Sequence, residues 1–330
     1  MTLGLPKKIK QYAFNIQKDI LGKYGFVQNK SNFDFLFTCS NGLYHYQLGK
    51  INKLLKGNYF GVTELPNKLY LAIKYVQNGT DDERSFAETF NIEKGIIKNK
   101  KQFNFKTIDG EIKVPVRVHQ IVYNNDIIWV TNTRQNLIWK CNTQGMILKE
   151  FCYSKPFDYE PDSTCTDIVR NKARNSIDYH HFNSIYINEK CLYILAHNSA
   201  GLDKSQNSFY LKLDHDFNIL DRVNNVGKAC HNLVHYNDDF YICDSANGQV
   251  VHLTSPNVQL GYFLRGMALQ NNNLIVGGTV SSEDVNLRGK GDSRIFFIPA
   301  GASHPSSSIS LGRTGDIHDI CALDNQSYSS

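Results

Sequence analysis

The chain has 330 residues, 41% hydrophobic, 12% aromatic and 20% charged, with a formal net charge of +5. That much aromatic and aliphatic material excludes a disordered chain and suffices for a sizeable core. No apolar run reaches the length of about 18 residues that a transmembrane helix needs, and the mild positive charge does not predict nucleic-acid binding.

At the start of the chain, Lys7, Lys8 and Lys10 imitate the basic end of a signal peptide. Gln11, Asn15, Gln17, Lys18 and Asp19 then break any apolar stretch, so a cytoplasmic protein is expected. Ile9, Ala13, Ile16 and Ile20 recur at helical spacing, and Pro6 suits the first turn. The segment 1–30 therefore reads as a short helical piece ahead of a domain spanning 31–330. The eight cysteines form no Cys-x-x-Cys pair, and several sit in apolar strand patterns, as expected of reduced, mostly buried thiols. Lys98, Lys100 and Lys101 form a basic cluster of the kind a solvated loop carries.

From residue 33 onward the chain reads as strands. Phe33–Cys39 and Gly42–Leu48 come first. A repeat then begins at Phe60 and returns at His119, Asn183, His231, Arg265 and His318. Each copy is a short strand, a polar turn and a second strand, as in His119-Gln-Ile-Val-Tyr-Asn-Asn-Asp-Ile-Ile-Trp129-Val130. The Asn-Asp and Asn-Asn pairs supply the positive-φ positions of tight hairpins. The sixth copy stops after its first strand. The strands near residues 33–48 complete it, as happens when a propeller closes its ring with both termini in one blade. The prediction is an all-β fold: a six-bladed β-propeller with a short N-terminal helix. The tight interval from His231 to Arg265 predicts short outer strands in that blade. Long connections at 76–87, 153–179, 198–208 and 281–293 all fall at the end where innermost strands begin, so that mouth is the elaborated face.

The first position of the repeat supplies Phe60, His119, Asn183, His231, Arg265 and His318 in blade order. Histidines in blades two, four and six would stand about 120° apart around one axis. Three neutral imidazoles with an open position suit a divalent metal, so His119, His231 and His318 are the candidate ligands, and Zn, Mn, Fe or Ca the candidate ions. His181, two residues before Asn183, lies on the same side of a period-two strand and is a candidate catalytic group. Arg265 has the planar fork that holds a carboxylate or phosphate. The ends of the second strands add Asn132-Thr133-Arg134, His197-Asn198 and Asp244-Ser245. Asn132, Arg134 and Asn183 join Arg265 as candidate substrate-binding residues. Asp244 is the candidate general base or histidine orienter. His215, His235, His252 and His304 fall off the column and read as surface residues. Cys230 points opposite to His231 and reads as a buried thiol.

These residues also carry a resemblance. The chain resembles a family of uncharacterised bacterial six-bladed propeller proteins, known as conserved hypothetical or domain-of-unknown-function proteins. The matching steps are Asn132-Thr133-Arg134, His181-Phe182-Asn183-Ser184, Cys230-His231-Asn232, Asp244-Ser245-Ala246-Asn247-Gly248 and Leu264-Arg265-Gly266-Met267. Their order and spacing agree over roughly residues 115–280. Ser184, Cys230, Asn232 and Ala246 depart from the family pattern. The resemblance implies a propeller and the same mouth residues, and no established reaction.

The functional expectation is a metal-assisted lyase, hydrolase or isomerase acting on a small polar molecule, anionic or sugar-like. A non-catalytic module that binds a ligand or a protein partner is the alternative. No nucleotide-binding loop, dinucleotide fingerprint or nucleophile elbow is present in the sequence, so a nucleotide cofactor is not expected. A monomer without a membrane or nucleic-acid partner completes the reading.

Overall fold

A computed structural model describes residues 32–78, 82–152, 180–197, 207–237, 239–254, 256–280 and 291–323. The helix expected over residues 6–21 lies outside them, as do segments 153–179, 198–206 and 281–290 of the expected long loops. Among the described residues the regular structure is β apart from short 3-10 turns, and no helix is long and apolar enough to cross a membrane.

Six four-stranded antiparallel sheets form the blades of a propeller. Blade one comprises Asn58–Leu65, Leu69–Asn78, Asp82–Glu93 and Ile96–Phe103. Blade two comprises Val118–Asn124, Ile127–Asn132, Leu137–Asn142 and Ile147–Cys152. Phe182–Ile187, Leu192–Ala196, Phe209–Leu213 and Ile219–Asn224 make blade three. His231–Tyr236, Asp239–Asp244, Gln249–His252 and Val258–Gln259 make blade four, whose outer strands are short as the tight spacing predicts. Blade five contains Phe263–Gln270, Asn273–Thr279, Ser293–Pro299 and Ser307–Gly312. Blade six is split: Ile317–Ala322 is innermost, followed outward by Asp34–Cys39, Gly42–Gln47 and Lys50–Lys56. Its seam pairs Leu36 with Cys321 and Phe37 with Ile320. The innermost strands touch in succession around the ring, blade six against blade one included, which leaves no inner edge to pair with another chain.

Within segment 76–87, expected as a loop, the described residues are paired strand instead. Pairing runs out to Asn78↔Asp82 and continues through Val76↔Arg84 and Ile73↔Ala87.

Side-chain alternation explains the packing. Each blade is covered on both faces, so period-two strands become nearly continuous apolar runs. In blade two, Ile128 and Val130 pack toward blade one, while Trp129 packs toward blade three. Six apolar cores result, one per interface. A buried hydroxyl also stitches each interface. Thr38 donates to the Phe60 carbonyl, Thr133 to Phe182 O (2.6 Å) and Ser245 to Leu264 O (2.6 Å). Ser85, Ser208 and Thr279 accept from the backbone N–H groups of Val118, Cys230 and Ile317.

One feature recurs in all six innermost strands and decides what lines the axis. Register shifts at the repeat's first position: between Tyr59 and Val62, Val118 and Ile121, Phe182 and Ser184, His231 and Leu233, and Leu264 and Met267. In blade six, Thr38 faces Asp319 while Cys39 faces Ile317, leaving His318 as the extra residue. Such a bulge breaks strict alternation, so the first-position residue and its successor can both serve the channel.

The successors are Gly61, Gln120, Ser184, Asn232, Gly266 and Asp319. Asp319, fully buried, accepts from Val62 N (3.2 Å), Gln120 Nε2 (3.4 Å) and Asn232 Nδ2 (3.3 Å). Gln120 Oε1 accepts from Ile185 N (2.7 Å), and Asn232 Oδ1 accepts from Gly266 N (2.7 Å). Through these five bonds one carboxyl ties all six blades beneath the mouth. Glycine is required beside it. A Cβ on Gly61 would stand 2.7 Å from Ile121 N, and Gly266 has φ +72.

Candidate metal centre

The mouth is a ring of aromatic and imidazole groups. Starting from Phe60, ring centres run to His119 (5.2 Å), His181 (4.6 Å), His197 (5.1 Å), His231 (5.1 Å) and Phe263 (5.6 Å). The Arg265 guanidinium lies 5.2 Å from the centre of Phe263, with Nη1 3.4 Å from His318 Nδ1. His318 stacks on Phe60 at 4.0 Å and 9°, which closes the ring.

The nitrogen atoms that could ligate from His119, His181 and His231 lie within 4.8 Å of one another. This is the cluster the structure assembles. His119 and His231 come from the expected positions, and the third member is His181 in place of His318.

Hydrogen bonding explains the exchange. His231 Nδ1 is 2.9 Å from the Ala229 carbonyl oxygen and 2.9 Å from Ser245 Oγ. A carbonyl only accepts, so Nδ1 carries the proton and Nε2 carries the lone pair. Nε2 is buried and has no hydrogen-bond partner among the described residues. His318 has the opposite arrangement. Arg265 only donates, so His318 Nδ1 is the acceptor, and the protonated Nε2 faces Ser40 Oγ at 3.3 Å. Its lone pair is engaged by a cation, and its ring face is covered by Phe60.

His181 reaches the cluster by a turn, not by strand alternation. Its backbone is left-handed (φ +51), and its N–H donates to Asn136 Oδ1 at 3.3 Å. Asn183 sits in the bulge, and its Nδ2 donates to Cys230 O (2.8 Å), across to blade four. Burial first, then the neighbouring histidines and Arg265, pushes His119 well below the usual imidazole range. His231 is lowered by burial, then by Arg265, His197, His119 and His181; His318 by burial and Arg265. For His119 and His231 this favours the neutral form that metal ligation requires.

Other predicted residues are placed differently. Asp244 accepts from Lys228 N (2.9 Å) at Oδ1, and from Asn247 Nδ2 (2.8 Å) and Gln249 Nε2 (2.9 Å) at Oδ2. Its carboxylate organises a turn, and Ser245 makes the orienting contact to His231. Asn132 accepts from Val116 N (2.9 Å) and donates to Gln135 (2.5 Å), holding the local loop. Arg134 sits in the 3-10 turn Thr133–Gln135 at the mouth end of blade two. His252, expected at the surface, is buried against Tyr241, with ring centres 4.4 Å apart. Cys230 is a buried thiol whose burial pushes its pKa up.

Two functional groups escaped the sequence reading. Ser245 was overshadowed by Asp244. The axial successors Gln120, Asn232 and Asp319 fall where alternation demands core residues, and their polarity at every second copy was the available signal.

No family profile matches the chain, and no curated protein matches it in sequence. Solved structures match its fold. A chain in a nidogen/laminin complex aligns with TM-score 0.56 at 9% identity, over 89% of this chain and 99% of that one. A protein of unknown function from Bacteroides caccae aligns with TM-score 0.51 at 15% identity, over 89% and 99%. A Thermus thermophilus protein described as a putative oxidoreductase (glucose dehydrogenase) aligns with TM-score 0.49 at 11% identity, over 79% and 92%. At these identities the likeness shows the propeller fold alone. The bacterial resemblance in the sequence is supported to that extent.

Proposed function

We propose that this propeller is a metal-assisted enzyme acting on a small anionic molecule at the mouth of the ring. His119, His181 and His231 hold a divalent first-row metal, and Arg265 holds the anionic group. The observation that carries this reading is His231: its Nδ1 is held by Ala229 and Ser245, and its buried Nε2 lone pair has no hydrogen-bond partner among the described residues. A buried acceptor left unsatisfied costs about 1–3 kcal/mol, a cost that a metal ion at that atom removes. An all-imidazole donor set suits Zn, Fe, Cu or Ni better than Mn or Ca, which prefer oxygen ligands.

When bound, such an ion supplies a Lewis acid and an acidified water, the chemistry of hydrolases and lyases. The protein's own part is legible. The Ala229 carbonyl fixes the tautomer of His231, and Ser245 helps hold its rotation. His318 braces the Arg265 fork from one side while Phe263 lies beneath it. The stacked Phe60–His318 pair gives the site an apolar wall.

The test is metal content in protein purified without a polyhistidine tag, for wild type and for His119→Ala, His181→Ala and His231→Ala. Near-stoichiometric metal in wild type and sharp loss in each variant is expected. A metal-free wild type that binds small anions equally well with and without these histidines would refute metal-assisted chemistry and favour a plain binding module.

A further inference from the structure

We infer that His197 supplies a fourth imidazole to the same centre, making it a four-nitrogen site; this rests on the metal reading above. His197 follows the strand Leu192–Ala196 and belongs to no predicted ligand set. Its backbone N–H donates to the His181 carbonyl (3.3 Å), and its own carbonyl accepts from Ser208 Oγ (2.9 Å). Both bonds fix the chain so that the side chain of His197 stands between His181 and His231.

The four rings form a closed quadrilateral. Its sides are His119–His181 at 4.6 Å, His181–His197 at 5.1 Å, His197–His231 at 5.1 Å and His231–His119 at 6.1 Å. These separations can be compared with ligation. An imidazole nitrogen binds at about 2.1 Å and the ring centre lies about 1.1 Å further out, so ligating rings stand about 4.5–5.2 Å apart between right-angled and tetrahedral geometry. Three sides already match in ring-centre distance, and the His197 ring must turn a nitrogen inward to join the 4.8 Å cluster of the other three. The fourth side must draw in by about 1 Å to fall in that range.

Successive planes are inclined by 72°, 59° and 77°, with 34° on the longest side, so ring edges can turn toward a common centre. His318 instead lies flat on Phe60 at 9°.

The chemical consequence is specific. Four neutral nitrogens favour the late, imidazole-preferring divalent ions, with copper(II) strongest in the general affinity order. Copper(II) is therefore also the best probe. Tag-free, metal-stripped protein is loaded with one equivalent of copper(II), and electron spin-echo modulation counts the coordinated imidazoles. Four are expected in wild type and three in His197→Ala, with copper affinity lowered at least tenfold. His304→Ala, an exposed histidine away from the ring, should leave both unchanged. Three imidazoles in wild type, with count and affinity unaltered by His197→Ala, would overturn the fourth ligand and leave the three-histidine centre standing. Failure of wild type to bind copper, or binding indifferent to His119→Ala and His231→Ala, would overturn both. The wild-type count decides the matter even if His197→Ala does not fold.

Discussion

Replacing Asp319 by alanine tests whether the axial hub holds the ring together. The carboxyl is 1% exposed and accepts from one backbone N–H and two side-chain amides belonging to three other blades. Alanine leaves these three buried donors without an acceptor, at about 1–3 kcal/mol each before relaxation. Removing the carboxyl also removes its own burial cost, so we expect a net loss of about 3 kcal/mol. At roughly 2–4 °C per kcal/mol for large domains, the melting midpoint should fall by roughly 6–12 °C. Asp319→Asn keeps one acceptor oxygen but turns an amide toward donors, and should lie between.

A pH signature separates charge from shape. Burial pushes the Asp319 carboxyl up from 3.8 to about 8. The folded chain therefore holds this proton more tightly than the unfolded chain. The resulting stabilisation is complete below about pH 4 and is lost as pH rises through 8. Wild type should lose stability relative to Asp319→Asn across that window. Calorimetry of the three proteins between pH 4 and 9 measures this. An alanine variant that melts with wild type, or a wild-type-to-Asn difference that ignores pH, would refute the hub.

Three further outcomes are expected. Arg265→Lys keeps the charge but loses the fork, so metal content should stay at the wild-type level while affinity for inorganic phosphate or a small carboxylate, measured by calorimetry, falls at least several-fold. Gly61→Ala places a methyl 2.7 Å from the Ile121 backbone nitrogen and should cost about 1–3 kcal/mol by denaturant unfolding, because blades one and two must separate to admit it. Deleting residues 31–48 removes two strands of the split blade and exposes the edge of Ile317–Ala322; loss of the cooperative transition, with aggregation on size exclusion, is expected, and an unchanged transition would contradict ring closure.

The sequence alone determined the architecture, because the repeat is local and its physical cause is local. Asn-Asp and Asn-Asn turns between apolar strands mark hairpins, and six copies with one split between the termini require a closed ring. The positions of His119, His231 and Arg265 at the mouth follow from the same count. The tertiary structure decided the rest. A one-residue bulge in every innermost strand breaks the alternation that sets residue facing, so Gln120, Asn232 and Asp319 join the axis unannounced. The left-handed turn at His181 and the strand end at His197 set how these imidazoles meet His119 and His231, which the period alone does not fix. Phe60 and Arg265, distant in sequence, take up the face and a ring nitrogen of His318, which stands apart from the cluster of His119, His181 and His231. Ser245, not Asp244, reaches His231, since the carboxylate is already held by Lys228 N, Asn247 and Gln249. Strand patterns report which side of a sheet a residue occupies. They do not report which lone pair is left over, because that depends on hydrogen bonds between residues brought together only when the ring closes.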